Sequence, residues 1–325
     1  MSLITSGEIG LCVSFALSLT DMMNFSVRMM ALSDANVVAV ERIKEYHDIE
    51  SEQHGATDYP LLDTWPHSGA IDFHKFSIQY GNSETFAVKD VTLSIKGGEK
   101  VAIVGRTGSG KTSLARGLLR LVQNFTGDIL IDGVNISCLS LHELRSRITI
   151  IPQDPVLFSS TIRFNVDPFD RFADSDIWQA LEACQLKDMV SKNELGLMAE
   201  IEEGGKNISI GERQLLCLCR SLLEGGTILI LDEATASLDH ATQALVDAVS
   251  REFGVLYRCI TFWVVREHFR HATTVTIAHK LEVVGGCDRI AVMEDGEVVE
   301  FDTPDNLLAR EESIYRELVE SKKSH

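Results

Sequence analysis

The sequence lacks paired cysteines. None of its seven cysteines lies in a Cys-x-x-Cys motif, and none is spaced like the ligands of a metal site. This absence argues against a disulfide framework and against a zinc site. We therefore expect reduced thiols in a cytosolic setting. The cysteines are Cys12, Cys138, Cys184, Cys217, Cys219, Cys259 and Cys287.

Positive charge is also scarce. The chain has 30 lysines and arginines against 48 aspartates and glutamates, which gives a formal net charge of −18. Such a surface repels a polyanion, and no basic patch stands out, so nucleic acid is not an expected partner. The chain does have 325 residues with 45% hydrophobic content, which is enough for a large core and fits a globular enzyme.

The N-terminal region lacks the basic start of a secretory signal, because no lysine or arginine precedes Arg28. Its apolar run, Ile9 to Leu19, is shorter than the roughly 20 apolar residues of a complete membrane-spanning helix. Two interpretations remain: a buried helix of a soluble domain, or the end of a membrane helix whose Asp21 and Asn24 face other helices. We favour the second, with residues 1–32 as the end of a transmembrane helix.

Residues 33–68 have the pattern of a cytosolic connector. Apolar residues recur with helical spacing between Val37 and Ile43, so the helix is expected to continue into the cytosol. Basic residues in the same stretch fit the positive-inside tendency. Pro60 and Pro66 then disfavour helix and indicate a linker.

The domain that follows, predicted to span residues 69–310, contains a phosphate-binding loop. A buried strand at 100–104 leads into the loop, and a helix is predicted over 112–122. In this order the loop N–H groups and the helix start converge on anionic oxygens. Lys111 is expected to bridge the β- and γ-phosphates, and the Thr112 hydroxyl to bind Mg²⁺. The predicted nucleotide-binding residues are Gly105, Arg106, Thr107, Gly108, Ser109, Gly110, Lys111, Thr112 and Ser113.

Strand patterns flank the loop on both sides. Residues 70–78 alternate like an edge strand, and residues 87–95 form another strand pattern. Downstream, residues 227–232 form a β-branched and leucine-rich strand, expected beside the strand of the loop in a parallel sheet. Asp232 is expected to hold Mg²⁺, and Glu233 to activate the attacking water as a general base.

These motifs and three further segments resemble ABC transporter ATPases. The segments are Asn-Ile-Ser-Ile-Gly-Glu-Arg-Gln at 207–214, Val-Ala-Val-Glu-Arg-Ile-Lys-Glu-Tyr at 38–46 and Ile-Ile-Pro-Gln-Asp-Pro-Val-Leu-Phe at 150–158. The resemblance covers nearly the whole chain and is closest to the second nucleotide-binding domain of the multidrug-resistance-associated (ABCC) subfamily. It implies an α/β fold after the end of the last transmembrane helix. The fold has a P-loop NTPase (RecA-like) core, an antiparallel β edge subdomain and a helical subdomain at about 160–205. Within that subdomain, residues 174–186 have the best helical pattern.

The resemblance also implies roles for single residues around the nucleotide. Tyr80 is the aromatic residue on which adenine stacks. Gln153 binds Mg²⁺ and links it and the attacking water to the helical subdomain. His279 contacts the γ-phosphate and helps hold the water and Glu233 in line, so the implied catalytic residues are Glu233, His279 and Gln153.

The segment at 207–214 is implied to serve a second domain. Ser209 and the Gly211 backbone match the signature that reaches a γ-phosphate held by a partner, and Asp239 matches the residue that couples the two sites. The segment departs from the usual Leu-Ser-Gly-Gly-Gln, and Glu212 is the departure that matters most. A carboxylate repels a phosphate unless it points away or pairs with Arg213, so we expect a modest weakening of closure.

One apolar segment at about 254–265 departs from the family. Near-repeats flank it, Arg-Glu-Phe at 251–253 and Arg-Glu-His-Phe at 266–269. As an exposed loop it would be prone to aggregation, and our hypothesis is that it is an unspliced or mispredicted piece of the gene. The tail at 311–325 is charged with helical spacing and is expected to be a solvated terminal helix.

ATP binding and hydrolysis that powers export of a substrate across a membrane is the function these patterns favour. ATP and Mg²⁺ are the expected cofactors. The expected partners are a second nucleotide-binding domain and transmembrane domains, in the same full-length chain or in another subunit. We expect a fragment of a longer multi-pass membrane protein or a truncated gene product, with the ATPase domain in the cytosol of a plasma or vacuolar membrane.

Other classes of function remain open. As a regulatory domain, the chain would gate a channel through ATP occupancy, as in channel-associated members of the same subfamily. A soluble ABC ATPase that acts on DNA or ribosomes is disfavoured by the acidic charge and the apolar N-terminus. A non-transporting fragment is the third alternative.

Overall fold

The computed structural model describes residues 6–49, 52, 64–81, 85–152, 155–232, 263–278, 284 and 286–323. The chain divides into two compact units, Met1–His54 and Gly55–His325, and each is described by itself. The strands are β1 Ile71–Gln79, β2 Phe86–Ile95, β3 Lys100–Gly105, β4 Phe125–Ile131, β5 Val134–Asn135, β6 Ile148–Ile151, β7 Ile228–Asp232, β8 Thr273–Ile277, β9 Arg289–Glu294 and β10 Glu297–Asp302. The helices are α1 Ser6–His47, α2 Lys111–Leu118, α3 Leu141–Ser146, α4 Ile162–Val166, α5 Asp174–Ala183, α6 Lys187–Ser191, α7 Ile210–Glu224, α8 Pro304–Ala309 and α9 Ile314–Lys323. Residues 263–268 are helical as well.

The first unit contains the long helix α1. Every residue of α1 is exposed, and by length and composition alone the helix could cross a membrane. The hydroxyls of Thr20 and Ser26 donate to the carbonyls of Ala16 and Met22, at 3.0 Å and 2.9 Å. Both hydroxyls therefore have a hydrogen-bond acceptor within the helix. None of the apolar residues of α1 is buried within the described part of the chain.

The antiparallel sheet has the strand order β2-β1-β4-β5. β1 pairs with β2, where Ile71 lies opposite Ile95, and on its other side with β4, where Ile71 lies opposite Ile131. The prediction of an edge strand at residues 70–78 is therefore wrong. An alternating pattern reports one buried and one exposed face, and it carries no information on how many neighbours the backbone pairs with.

The second sheet has the order β10-β9-β3-β8-β7-β6, and only β10 runs antiparallel to its neighbour. β8 lies between β3 and β7, so the prediction that the strand of Asp232 lies beside the strand of the phosphate loop is wrong. Strands β3, β7 and β8 are all largely buried and rich in aliphatic or β-branched residues, so their composition fits central strands without showing their order.

Two helices end earlier than predicted. α2 ends at Leu118 rather than near Val122, and α5 ends at Ala183 rather than at Leu186. In both cases a residue with positive φ follows, Arg120 at 50° and Gln185 at 59°. A left-handed residue ends an α-helix because its carbonyl and N–H no longer follow the helical ladder.

Two segments in the C-terminal half of the chain are more buried than expected. In the helical stretch 263–268, Val264 and Val265 join the core beneath α5 and α7, while residues 254–262 of the predicted insertion lie outside the described residues. The predicted solvated tail is instead docked on one face, because Tyr315 of α9 is buried beside Leu307 of α8. Glu300 of β10 accepts hydrogen bonds from the N–H groups that begin α9.

The six cysteines in the described part of the chain are free thiols. A side-chain hydrogen bond with Cys184 and burial raise the pKa of the Cys219 thiol well above its usual value. Burial raises the pKa of Cys287 to about 11. The thiolate is the reactive form of cysteine, so these thiols are unreactive near neutral pH.

A buried carboxylate fastens the start of the second unit to the antiparallel sheet. Asp132, in the turn between β4 and β5, has a fully buried side chain and accepts hydrogen bonds from the Ser68 hydroxyl and from the N–H groups of Ser68, Gly69 and Ala70. Burial opposes ionisation of Asp132, but these hydrogen bonds outweigh it and lower the pKa of the carboxyl. Trp65 is buried next to the hydrogen bonds of Asp132, and its indole N–H donates to Ile131 O at 3.1 Å.

We expect Asp132→Asn to lower the free energy of unfolding by about 2–3 kcal/mol, because one amide oxygen cannot replace two carboxylate oxygens. Asn tolerates the φ of 48° at this position, so the backbone is not the cause. Because the folded pKa is lowered, the contribution is present above the unfolded pKa of about 3.9 and is lost as pH falls through the folded value. Urea unfolding at pH 7 and at pH 3 measures both effects.

Asp128→Asn is the matched control. Asp128 is exposed and accepts a hydrogen bond from Asn135 Nδ2 at 2.7 Å. We expect its effect on unfolding to stay within about 0.5 kcal/mol. If both variants lowered the free energy of unfolding equally, the stabilising role assigned to Asp132 would be contradicted.

Candidate functional site

The phosphate loop is built by close approach of backbone to backbone. β3 ends at Gly105, with φ of 154°, and Gly110, with φ of 99°, caps the start of α2. A Cβ on Gly105 would overlap the carbonyl oxygen of Met293, and one on Gly110 would overlap that of Ala87. Only glycine fits at these two positions, so the loop is held in one shape by β2 and β9.

Lys111 is drawn into this loop. Lys111 is 3% exposed, and its Nζ donates to the carbonyls of Gly105 at 3.1 Å and Arg106 at 2.8 Å. The loop thus holds a buried cation at the point where β3 meets α2. Anionic oxygens placed there would form stronger, charge-assisted hydrogen bonds than the neutral carbonyls do.

Ser109 offers a second polar group to a ligand. The residue is 5% exposed, and its Oγ is buried without a hydrogen-bond partner in the described part of the chain. Gly108 has open space where a Cβ would stand, and the first N–H groups of α2 point out of the helix start. An orphaned hydroxyl, an open glycine and a buried ammonium together fit a phosphate chain.

Tyr80 lies beside the helix that starts at the loop. Tyr80 is 40% exposed, and its hydroxyl donates to Ser113 Oγ on α2 at 3.2 Å. This bond holds an aromatic face near the first turn of α2. A base could stack on such a face without a specific reading of its edges.

Asp232 ends β7 at the same edge of the sheet. In the register of the parallel strands, Asp232 is opposite Ile277 of β8, and Ile277 is opposite Ile103 of β3. Its residue is half-buried. The carboxylate therefore lies at the edge where β3 passes into the phosphate loop.

Four predicted site residues lie outside the described residues: Gln153, Glu233, Asp239 and His279. Three of them follow the carboxyl ends of described parallel strands, Gln153 after β6, Glu233 after β7 and His279 after β8. Their roles stay predictions.

The predicted signature residues begin helix α7. Ser209 is the N-cap of α7, and its described hydrogen bonds stay within its own turn. Glu212 pairs with Ser209, while Arg213 turns to the carbonyl of Gly204 at 2.7 Å. The alternative in which Glu212 pairs with Arg213 is therefore wrong, because N-capping gives the carboxylate two donors one turn away.

A supporting hairpin turn was not among the predicted site residues. Asp295 and Gly296 join β9 to β10 with φ of 47° and 86°, and Gly296 N donates to Ser109 O at 3.2 Å. Gly296 O in turn accepts from Lys89 N at 2.8 Å. The Asp-Gly dipeptide is a strong hairpin signal, so the turn could have been predicted, but its contact with the loop could not.

Known proteins that are similar to this chain include ATP-binding cassette proteins. Residues 88–236 match the ABC transporter family. The chain is 42% identical over 312 residues to ATP-binding cassette sub-family C member 2 of Rattus norvegicus, covering 96% of this chain and 19% of that protein. It is 43% identical over 317 residues to Multidrug resistance protein mrp-7 of Caenorhabditis elegans, covering 96% of this chain and 20% of that protein. The chain thus spans about a fifth of the length of these curated relatives.

A solved structure shares the fold. "Structure of a bacterial Atm1-family ABC exporter with ATP bound" aligns with a TM-score of 0.81 at 24% identity and covers 99% of this chain and 53% of that one. The predicted fold class and the predicted resemblance to the ABCC subfamily are confirmed.

Gly110→Ala tests the shape of the loop. We expect the affinity for ATP to fall roughly tenfold or more, because a displaced loop loses charge-assisted hydrogen bonds worth about 1.5–3 kcal/mol each. Equilibrium binding of ATP to the full chain measures the change.

Gly133→Ala is the control for strain alone. Gly133 has φ of 79°, open space around the Cβ position and a place in the distant turn between β4 and β5. We expect about 1–3 kcal/mol of lost stability with unchanged ATP affinity. An unaltered affinity in Gly110→Ala would show that the loop shape does not matter for binding.

Proposed function

Residues 88–236 belong to the ABC transporter family, and from that premise we propose that this chain is the second nucleotide-binding domain of an ABCC-type exporter. Domains of this family bind ATP and hydrolyse it. In the proposed transporter, hydrolysis drives a substrate across a membrane. The observation that carries the proposal is the phosphate cradle, in which Lys111 and the orphaned Ser109 hydroxyl are held between two glycines that no other residue can replace.

Different residues at the carboxyl edge of the parallel sheet are assigned to the phosphates, to Mg²⁺ and to the base. Lys111 and the loop N–H groups bind and orient the β- and γ-phosphates. The oxygens of Thr112, Asp232 and Gln153 suit Mg²⁺, which would neutralise phosphate charge when bound. Asp232 supports this assignment because it lies in register with the strands around the loop. ATP is the substrate, and Tyr80 stacks against its base.

The proton chemistry belongs to residues that follow the strands. Glu233 accepts a proton from the attacking water, and His279 keeps the water and the γ-phosphate in line. Phosphoryl transfer depends on positioning and on charge stabilisation, so small displacements of these groups have large effects on rate.

The site is proposed to be completed by a partner. Ser209 and Gly211 serve a triphosphate held by a second nucleotide-binding domain, and Asp239 couples the two sites. α1 is proposed as the end of the last transmembrane helix, which places the ATPase domain in the cytosol. The exposed apolar surface of α1 supports an association with the membrane and with transmembrane domains.

Glu233→Gln and Lys111→Ala separate chemistry from binding. We expect Glu233→Gln to lower kcat about a hundredfold or more and to leave ATP affinity nearly unchanged, because it removes the base and keeps the shape. We expect Lys111→Ala to weaken ATP binding itself. Phosphate release and equilibrium ATP binding by the full chain in detergent measure the two effects.

Glu143→Gln serves as the charge control, since Glu143 is an exposed glutamate that caps α3. It is expected to leave both measurements unchanged. A rate that does not fall in Glu233→Gln would remove Glu233 from the mechanism, and ATP binding unaffected by Lys111→Ala would remove the proposed site.

A further inference from the structure

The first turn of α7 is closed by a reciprocal pair of side chains. Ser209 Oγ donates to Glu212 Oε2 at 2.7 Å, and the Ser209 N–H donates to the same oxygen at 2.8 Å. Glu212 N donates back to Ser209 Oγ at 3.2 Å. Ser209 is exposed and Glu212 is half-buried, so the pair lies at the surface of the domain.

A serine hydroxyl has one hydrogen to donate. In this structure Glu212 takes it, and the acceptor carries a charge, which makes the bond roughly twice as strong as one to a neutral acceptor. Ser209 cannot donate that hydrogen to a phosphate at the same time. The hydroxyl must leave Glu212 before it can bind an external anion.

The charges around Ser209 do not offset the carboxylate. Residues 200–213 contain four glutamates against Lys206 and Arg213. Arg213 Nη1 donates to Gly204 O at 2.7 Å, away from Glu212. Asn207 is also engaged, because its amide bonds the backbone of Glu200 and Glu202 at 2.9 Å and 3.0 Å.

The surface beside the pair is nevertheless open. Apart from its chain neighbours and the backbone of its own helix, Gly211 has no heavy atom within 4 Å of the position of a Cβ, and Ile210 is 40% exposed. The N–H groups at the start of a helix have no partner within the helix. An anion can therefore reach the Gly211 backbone while the neighbouring hydroxyl stays bound to Glu212.

We propose that Glu212 is a positioning residue that competes with the partner-held triphosphate for the Ser209 hydroxyl. The proposal rests on the proposed function, in which Ser209 faces ATP on a second domain. Each closure exchanges one hydrogen bond, from the Glu212 carboxylate to a phosphate oxygen. Glu212 thereby weakens ATP-driven closure of this half of the shared site.

Glu212→Gln in the full chain tests the competition. A glutamine keeps the length and the capping oxygen but removes the charge, so the Ser209 hydroxyl is released more easily. The chain carries Glu233→Gln to stop hydrolysis, a second copy of the chain acts as the partner, and Mg²⁺ and ATP are added. Sedimentation in detergent measures the association constant, which we expect to rise about three- to tenfold per site.

If Glu212 only stabilised the helix, Glu212→Gln would lower the association constant instead of raising it. Loss of the capping charge would loosen α7 and weaken association rather than strengthen it. Glu143→Gln makes the same change in the matching Ser140–Glu143 pair of α3, where Ser140 Oγ donates to Glu143 at 2.7 Å. We expect this control to leave association unchanged and to cost similar thermal stability.

A double-mutant cycle with Ser209→Ala separates the hydroxyl from the charge. If Glu212 acts through the hydroxyl, Glu212→Gln should lose at least half of its effect when Ser209 is alanine. Any remaining effect is repulsion of phosphate and should shrink as salt rises. An equal gain with and without the hydroxyl, or no gain in Glu212→Gln, would overturn the proposal.

Failure of the proposed function looks different from failure of this inference. If every variant binds ATP and none associates, the shared site is wrong and the competition falls with it. If the parent chain associates with ATP but Glu212→Gln does not strengthen the association, only the competition is wrong.

Discussion

The site depends on the close approach of two backbone carbonyls, one from β9 and one from β2, to the phosphate loop. Met293 O and Ala87 O lie where the Cβ atoms of Gly105 and Gly110 would be, so the loop cannot relax without disturbing β9 and β2. The antiparallel sheet and the parallel sheet thus meet at the loop. Lys111 is buried there because the loop carbonyls fold around its ammonium group.

The same edge of the parallel sheet gathers the remaining chemistry. The loop follows β3, Asp232 ends β7, and β8 between them is in register with both. Parallel strands bring their carboxyl ends to one side, so residues distant in sequence become neighbours there. The order of the strands also explains the separation of roles, since β8 spaces the loop from Asp232 and leads toward the segment that carries His279.

The start of α7 combines two demands that oppose each other. A helix start is stabilised by a capping carboxylate, which Glu212 supplies to Ser209. A phosphate-binding surface needs the same N–H groups and the same hydroxyl for an external anion. In this chain the internal carboxylate holds the hydroxyl, so helix stability and anion binding draw on one group.

Local pattern was enough to predict the loop and the strands β1, β2, β3 and β7, because glycine spacing and buried β-branched runs act over a few residues. The family was predicted from the resemblance of whole motifs. Strand order was not predictable, since β3, β7 and β8 are all largely buried strands of aliphatic and β-branched residues, and β1 alternates whether it has one neighbour or two. The partner of Glu212 was also not predicted: the sequence suggested Arg213 or a carboxylate that points away, and the folded chain gives Ser209. Pairing between distant segments and the competition of donors for one acceptor are decided only when the chain is folded, because they depend on distances that no local sequence pattern contains.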